Sequence, residues 1–275
     1  MRIIAASKQN YKPMKKTIRI VSCICLLVLN SCSSSDSSST PTSESDVLVT
    51  KIIEHFANDG TTLTTDYTYD GKKIVSTLDS DGYHESYTYT GDLITSIRWY
   101  DDTDTLITLE TFTYNSSNQM TLYVLNDYSI DQGRKEVFVH NSNNTVSYTV
   151  YNGDNSTQTN LLATGTFFVT NGEVTKIETT IPAPFSSTST TIYTYDTKNN
   201  PFKNTTGYDK MNYVNEEAIG VTRNILTDHF TNSSGSDNLY TTTFSYNGLN
   251  FPITATEIEG TDPTTEITND FFYNN

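Results

Sequence analysis

The chain has 275 residues, of which 32 are acidic and 17 basic, and its formal net charge at neutral pH is −15. This excess of negative charge disfavours nucleic acid and anionic membrane surfaces as partners, because both are negatively charged themselves. The length is ample for one folded domain in addition to a leader segment.

The N-terminal stretch has the layout of a secretory signal peptide. Residues 14–19, MKKTIR, are basic, and residues 20–29 are nearly all apolar. A helix of ten residues rises only about 15 Å, half the thickness of a bilayer's hydrocarbon core, so it cannot span a membrane. We therefore interpret residues 1–31 as a signal peptide, with Met14 as a better start than Met1.

The four residues LNSC, at positions 29–32, follow directly. They resemble the lipobox of bacterial lipoproteins, which has Leu three positions before the Cys and a small residue immediately before it. The resemblance implies that the chain is cleaved before Cys32 and that the Cys32 thiol carries diacylglycerol. A buried cysteine after a core strand is the alternative, and the basic start and Ser-rich sequel weigh against it.

Cleavage would remove the other two cysteines, Cys23 and Cys25, and the mature chain would then hold no disulfide. It would also remove six basic residues and no acidic ones, which leaves a net charge of −21. Residues 32–46, CSSSDSSSTPTSESD, are too polar to form a core and predict a flexible tether. A single folded domain is therefore expected over residues 47–275.

A short pattern recurs through this domain: an aromatic residue, any residue, a tyrosine and then turn residues. Its tyrosine position returns every 20 to 30 residues, except for one gap of 51. The clear copies contain Tyr67 and Tyr69, Tyr87 and Tyr89, Phe112 and Tyr114, Tyr193 and Tyr195, Phe244 and Tyr246, and Phe271 and Tyr273. Two weaker copies have His140 and Thr170 in place of the tyrosine. The long gap predicts an irregular insertion near residues 203–228.

Each copy predicts a β-hairpin, because Asp-Gly and Asn-Gly suit a two-residue type I′ turn and residues two apart share one face of a strand. A turn at residues 70–71 would place Tyr67 opposite Ile74. The same register pairs Tyr87 with Ile94, Phe244 with Phe251 and, across a longer turn, Phe112 with Met120. An aromatic residue that faces an apolar one is a favourable cross-strand pair.

Segments rich in Thr, Tyr, Val and Ile alternate with turns, which predicts an all-β antiparallel meander. We expect a curled sheet or a sandwich with the rings on one face. The pattern resembles the YD repeats of Rhs-type proteins. It is also similar to β-rich lipoproteins of the Bacteroidetes type, which share the lipobox, the tether and the sequence YTYDTKNNPFKN at residues 193–204. The resemblance implies a lipoprotein of unknown activity and transfers no catalytic residue.

Motifs for metal, phosphate or nucleophilic chemistry are absent from the sequence. Metal-ligand spacing is lacking around the four histidines, which are His55, His84, His140 and His229. Two acidic clusters, at residues 79–82 and 101–104, suit turns better than calcium. Acid–base catalysis of the glycosidase kind would have to use pairs such as Glu216/Glu217 or Glu257/Glu259. We therefore expect no catalytic residue, no metal and no cofactor apart from the lipid on Cys32.

A group of aromatic residues is the candidate for ligand binding, because Tyr and Trp stack on sugar rings and favour protein interfaces. It comprises Trp99, Tyr100, Tyr123 and Tyr128. The alternative is that one aromatic face simply forms the core, since a stable sheet must bury one of its faces.

Together these features predict a lipoprotein anchored in the outer membrane of the cell envelope, with the membrane as partner through its lipid. Its expected role is non-catalytic, as a binder of, or scaffold for, a glycan or another envelope protein. The alternatives are a periplasm-facing structural subunit that pairs through a sheet edge, and a glycan-processing enzyme. The sequence leaves open which side of the outer membrane the domain faces.

Overall fold

The computed structural model describes residues 43–274, so the predicted signal peptide, Cys32 and the tether up to residue 42 lie outside the described part. The strands are β1 (Val49–Phe56), β2 (Thr62–Asp70), β3 (Lys73–Asp79), β4 (His84–Thr90), β5 (Leu93–Tyr100), β6 (Leu106–Tyr114), β7 (Met120–Asp127), β8 (Gln132–His140), β9 (Thr145–Gly153), β10 (Gln158–Thr170), β11 (Glu173–Ile181), β12 (Ser187–Tyr195), β13 (Ile225–Asn232), β14 (Asp237–Tyr246), β15 (Pro252–Glu259) and β16 (Ile267–Tyr273). Single turns of 3-10 helix lie at Glu44–Asp46, Tyr208–Lys210, Val214–Glu216 and Pro263–Thr265. Among residues 43–274 no helix has the length and apolarity needed to cross a lipid bilayer.

Each strand pairs antiparallel with its neighbours in sequence, and β16 also pairs with β1, so the sheet closes into a barrel of sixteen strands. In the closing pair Ile52 lies opposite Phe271. The predicted all-β antiparallel meander is confirmed, whereas the predicted curled sheet or sandwich is wrong. Closure pairs the first strand with the last, and a paired edge is protected from association with other chains. Local patterns in the sequence do not contain this long-range contact.

The repeat aromatics lie on the inner face of the barrel. Tyr67 and Phe112 are buried there, at 7% and 4% exposed. The other repeat rings belong to, or pack on, the two clusters that form the core, and Tyr246 stacks on Phe244 with ring centroids 5.9 Å apart. The rings therefore share one side of the sheet.

The outer face is polar by comparison. In β14, Tyr240 and Phe244 point into the barrel, while Thr241, Thr243 and Ser245 alternate with them and point outward. Thr and Ser are the most frequent residues at outward positions of the other strands, with charged residues among them. Apolar residues also occur there, and Val137 and Val139 of β8 lie beside Leu122 of β7. The barrel thus has an inside that is rich in aromatic residues and also holds carboxylates such as Glu136 and Glu173, and an outside that is rich in hydroxyl groups.

The first hairpin turn consists of Gly71 and Lys72, one residue later than predicted, because Gly71 takes the positive φ of 61° at the first turn position. Tyr69 therefore faces Ile74 in place of Tyr67. The same shift pairs Tyr89 with Ile94, Tyr114 with Met120 and Tyr246 with Pro252. The predicted pairings of Tyr87 with Ile94, Phe112 with Met120 and Phe244 with Phe251 are wrong for this reason.

The two ends of the barrel carry different connections. The turn end has the repeat turns, at residues 71–72, 91–92, 115–119, 141–144, 171–172 and 247–251. The loop end has the other connections, at residues 57–61, 80–83, 101–105, 128–131, 154–157, 182–186, 233–236 and 260–266. Leu48 N–H donates to Asn274 Oδ1 at 2.9 Å, so the segment just before β1 meets the last described residue at the turn end.

The connection between β12 and β13, residues 196–224, turns into the barrel, and we call it the plug. It occupies the region where the sequence predicts an irregular insertion, and its only regular structure is two single turns of 3-10 helix. Phe202 packs against Ile52 and Tyr67 of the wall, and Met211 belongs to the larger core cluster. A barrel of sixteen strands is too wide for its own side chains to fill, so the plug supplies the missing core.

Candidate functional site

Glu173, at the start of β11, fixes one end of the plug to the barrel wall. Its carboxylate accepts hydrogen bonds from the backbone N–H groups of Val221, Thr222 and Arg223 at 2.8 to 3.0 Å. The Thr222 hydroxyl donates a fourth at 2.6 Å. Glu173 is only 3% exposed, and a buried carboxylate requires such donors because an unpaired buried charge is costly.

Asp196 holds the two ends of the plug together. It accepts hydrogen bonds from the backbone N–H groups of Lys198 at 3.0 Å and Asn224 at 3.1 Å. The Asn224 side chain donates to it at 2.9 Å, and the Tyr246 hydroxyl donates as well. The plug is therefore a closed loop that enters and leaves the barrel at the turn end.

A buried ion pair holds the middle of the plug. Arg134 contacts Glu136 on its own strand at 2.5 Å and Glu216 of the plug at 2.8 Å. Burial raises the pKa of Glu136 to about 7, although the Arg134 charge opposes that shift. The plug thus makes a polar contact with β8 in the middle of the barrel, in addition to those at its ends.

The predicted ligand-binding aromatics do not form one surface. Trp99 and Tyr123 lie inside the barrel, where both donate to Glu110, at 2.9 and 3.0 Å. Burial raises the pKa of the Glu110 carboxyl, and the two hydrogen bonds offset only part of that rise. On the outside, Tyr100 stacks on His84 at 4.8 Å. The fourth residue, Tyr128, is 43% exposed in a connection at the loop end.

The plug leaves a cavity of about 520 Å³ between itself and the wall formed by β13, β14, β15, β16 and β1. Its aromatic and aliphatic lining includes Phe56, Tyr240, Phe244, Ile267 and Phe271. Its polar lining includes Asn200, Asn224 and Asn269 and the four carboxylates of Glu54, Glu217, Glu257 and Glu259. No Lys, Arg or His side chain is among the described residues that line it.

The cavity opens at the loop end. Its lining extends to the exposed Asn58, in the connection after β1, and to Thr265, just before β16. Glu259, at the end of β15, accepts a hydrogen bond from Asn238 at the same level. Asn200 and Pro201 of the plug are buried and line it near the turn end. A ligand would therefore enter from the end opposite to the chain's first described residues.

Three of the four glutamates named in the sequence as paired carboxylates lie in this cavity. Glu217, Glu257 and Glu259 line it, whereas Glu216 pairs with Arg134 elsewhere. Sequence patterns did not indicate that Glu54 lines the cavity. Glu54 reaches this position only because β1 pairs with β16 where the barrel closes.

The two acidic clusters that were considered as calcium sites, at residues 79–82 and 101–104, form turns in this structure. Asp79 Oδ1 accepts the N–H groups of Asp81 and Tyr83, and Asp101 Oδ1 accepts that of Thr103. Among residues 43–274 no group of three or more His, Cys, Asp or Glu side chains is arranged to hold a metal ion.

The recurring tyrosine has a structural cause. The hydroxyl of Tyr114 donates to the carbonyl of Ile94 at 2.8 Å, and that of Tyr273 donates to Pro252 at 2.6 Å. Each bond joins a strand to the strand that precedes it in the barrel, β6 to β5 and β16 to β15. In the weaker copy His140 lies at the same position and contacts the carbonyl of Met120 at 2.7 Å.

No protein-family model matches the chain, and no curated protein matches its sequence. Solved structures do match. A porin-like protein from Bacteroides vulgatus superposes with a TM-score of 0.52 at 16% sequence identity, over 82% of this chain and 99% of that one. A porin-like protein from Bacteroides uniformis has a TM-score of 0.49 at 13% identity, over 82% of this chain and 96% of that one.

The first of these likenesses shows a shared barrel fold. It overturns the resemblance to Rhs-type YD repeats and to the β-rich lipoproteins grouped with them, because the sheet closes instead of remaining open. The repeat spacing reflects the succession of hairpins around one barrel, and Tyr114, Tyr195 and Tyr273 each bond to the neighbouring strand.

Proposed function

We propose that this protein is a non-catalytic, ligand-binding barrel that is held at the outer membrane by lipid on Cys32 and stands in water. The observation that carries the proposal is the polarity of the barrel, with aromatic residues inside and Thr and Ser outside, combined with the cavity beside the plug. The fold shared with a porin-like protein supports a location at the outer membrane of the cell envelope.

The outer face argues against burial of the strands in lipid. Outer-membrane barrels carry an apolar band roughly 25 Å tall on the outside and a polar interior. Here Lys51 and Asp66 form an ion pair at 3.2 Å across β1 and β2, and Lys176 and Glu178 form one at 2.8 Å on β11. Charged pairs at these outward positions would be costly in hydrocarbon, and water is their natural surrounding.

The anchor and the cavity mouth lie at opposite ends. The chain enters the barrel at the turn end, where Asn204 of the plug donates to the carbonyls of Glu44 and Val47 at 2.7 and 3.0 Å. A lipid at Cys32 would therefore hold the turn end toward the membrane and direct the loop end away from it. This orientation leaves the cavity accessible from the water phase.

The alternative roles receive less support. A structural subunit that pairs through a sheet edge needs an unpaired strand, whereas β1 and β16 pair with each other. A glycan-processing enzyme would use two carboxylates of the cavity, and the binding of a disaccharide followed by its hydrolysis would be its signature.

Release from the membrane tests the anchoring. We expect that cutting a specific protease site inserted in the tether at residues 34–40 frees the barrel from isolated membranes without detergent. Cys32→Ala should leave unprocessed precursor. A barrel that stays in the membrane until detergent dissolves it would contradict the proposal and indicate strands that span the bilayer.

A matched pair of variants tests the cavity as the binding site. Thr242→Trp places an indole in the cavity, and Thr243→Trp places one on the outer face of the same strand. Calorimetry with tryptamine, tryptophol, indole-3-acetate and the disaccharide cellobiose covers cationic, neutral, anionic and sugar ligands. We expect at least one of them to bind, and only Thr242→Trp to abolish its binding. If none binds, or if both variants bind equally well, the cavity is not a ligand site.

A further inference from the structure

We infer that an apolar annex beside the cavity receives a short alkyl chain of the ligand, and that the Tyr67 hydroxyl donates to an uncharged acceptor atom next to that chain. The ligand class is therefore a neutral molecule with an alkyl ketone, ester or ether group at its inner end. The inference rests on the proposed ligand-binding function, because the annex adjoins the same cavity.

The annex is a second and smaller space between the plug and the wall. It lies along β2 to β5 and has a volume of about 60 Å³. Glu54 and Asn269 line both spaces, so the annex adjoins the cavity at these two side chains. The cavity opens at the loop end, and a ligand that enters there would reach the annex last.

The lining of the annex is mostly apolar. It includes Ile52, Ile74, Ile94 and Ile97 of the wall and Phe202 and Met211 of the plug. The volume exceeds the roughly 10 to 15 Å³ that a water molecule needs, but a buried water also needs roughly two to four polar partners, and apolar cavities stay dry. A cavity that holds a benzene ring has roughly 150 Å³, so the smaller annex suits an alkyl chain of a few carbons.

Tyr67 provides a second, independent observation that points to a ligand. Its side chain lines the annex and is 7% exposed, and its hydroxyl is buried without a hydrogen-bond partner. The hydroxyl of Tyr87, which also lines the annex, donates to Glu85. Burial raises the pKa of Tyr67 well above its usual range, so its hydroxyl keeps the proton and can donate it. A buried donor without a partner is costly, and an acceptor atom of the ligand would remove that cost.

The acceptor atom should be uncharged. A carboxylate would have to lose its hydration among mostly apolar side chains, which is strongly unfavourable. The oxygen of a ketone, ester or ether accepts a hydrogen bond and leaves the attached alkyl chain free to enter the annex. The body of the ligand would remain in the cavity, where Phe244 and Phe271 offer aromatic surface.

Phenyl alkyl ketones of increasing chain length test the annex. Headspace gas chromatography over solutions of the purified protein measures the free ketone and hence the affinity. Butyrophenone has two CH₂ groups more than acetophenone and should bind at least fivefold more tightly, since each buried CH₂ adds roughly a factor of four. Hexanophenone has two more again and should gain less than twofold, because the annex is then full.

Variants of Ile74 localise the alkyl chain. Ile74→Phe fills part of the annex and should lower the affinity for butyrophenone at least fivefold without changing that for acetophenone. Ile74→Ala enlarges the annex and should make hexanophenone bind at least threefold more tightly than butyrophenone. The control Leu78→Phe, at a position of the same strand that is 53% exposed, should change none of these affinities. Circular dichroism checks each fold, and if Ile74→Phe does not fold, Ile74→Ala decides.

Tyr67→Phe tests the acceptor. It should lower the affinity for butyrophenone at least threefold and leave that for butylbenzene unchanged, because butylbenzene has a CH₂ group in place of the carbonyl. Equal effects on the two compounds would show that the Tyr67 hydroxyl does not donate to the ligand and would overturn that part of the inference.

The remaining outcomes separate the two proposals. If Thr242→Trp abolishes butyrophenone binding whereas the Ile74 and Tyr67 variants leave it unchanged, the ketone binds in the cavity alone, and only this inference is overturned. If neither Thr242→Trp nor Ile74→Phe weakens binding, the ketone binds elsewhere and the inference fails. If no ketone binds, the inference also fails, while the indole and sugar probes still decide the proposed binding function.

Discussion

The two sides of the barrel differ in how they use the same aromatic repeat. On the side formed by β5 to β12, which we call the packed side, Tyr123 and Phe167 are fully buried. On the side formed by β13 to β16 and β1, the open side, Tyr240 and Phe244 are only partly buried and line the cavity. Both sides carry inward aromatic residues, and they differ in what lies against those residues.

The plug is responsible for this difference. Tyr213 of the plug contacts Phe138 and Phe167, with ring centroids 6.1 and 5.4 Å apart, and Met211 and Val214 complete that core. On the open side Phe202 of the plug packs with Ile52, Ala255 and Phe271 in the smaller core cluster. Beside the cavity the plug contributes mainly polar or small surfaces, from Asn200, Pro201, Glu217, Ile219 and Asn224. An inserted loop thus fills one half of a wide barrel with core and leaves a cavity in the other half.

The largest effect is expected from removing a ring on the packed side. Phe167→Ala should lower the free energy of unfolding by about 4 kcal/mol, because it leaves a cavity among Tyr148, Phe138 and Tyr213. Phe244→Ala, on the open side, should cost about 1 kcal/mol since the space beside it is already open. Urea denaturation measures both, and equal losses would mean that the two sides are packed alike.

The second largest loss of stability is expected from a variant that releases the plug. Glu173→Ala removes the acceptor of four hydrogen bonds from the plug and should lower the free energy of unfolding by about 3 kcal/mol. Hydrogen exchange should then become faster in residues 196–224 than in the strands. The outer-face variant Glu178→Ala on the same strand serves as control, and a change below about 0.5 kcal/mol is expected there.

The buried carboxyl of Glu136, on the packed side, should make the stability of the protein depend on pH. Burial raises the pKa of Glu136 from 4.5 to about 7, so between these values the folded protein keeps a proton that the unfolded chain loses. This group is therefore most favourable to stability below pH 4.5, and its contribution is lost as the pH rises through 7. The free energy of unfolding of Glu136→Gln should rise by about 3 kcal/mol relative to that of the wild type as the pH passes through this window.

Thermal melts of both proteins from pH 4 to pH 8 measure the Glu136 effect. The outer-face variant Glu178→Gln should keep a constant difference from wild type over the same range. A constant difference for Glu136→Gln as well would indicate that Arg134 keeps the Glu136 carboxyl charged throughout.

The smallest effect concerns the repeat itself. Tyr114→Phe removes the hydroxyl bonded to Ile94 and should cost about 1 kcal/mol. Tyr67→Phe removes a buried hydroxyl that has no hydrogen-bond partner and should be neutral or slightly stabilising. The two variants remove the same atom, so equal changes in urea denaturation would show that the bonds between hairpins add nothing.

Much of the local structure could be predicted from the sequence. The alternation in Tyr67 and Tyr69 placed both rings on one face, because strand geometry fixes a period of two. The turn at Gly71 was predicted within one residue, since a positive φ limits the choice of residue. The candidate site was not predicted, because Glu54 and Glu257 are 203 positions apart and meet only through barrel closure.

By itself, the sequence determined an antiparallel meander of hairpins with its aromatic residues on one face, since strand period, turn chemistry and cross-strand pairs are local. Only the tertiary structure decided that this face would turn inward around a plug. Closing the barrel requires β1 to meet β16, and the width of sixteen strands leaves a volume that neighbouring residues along the chain cannot fill. How that volume is divided between core and cavity depends on contacts such as those of Glu173 with the plug, which no local pattern encodes.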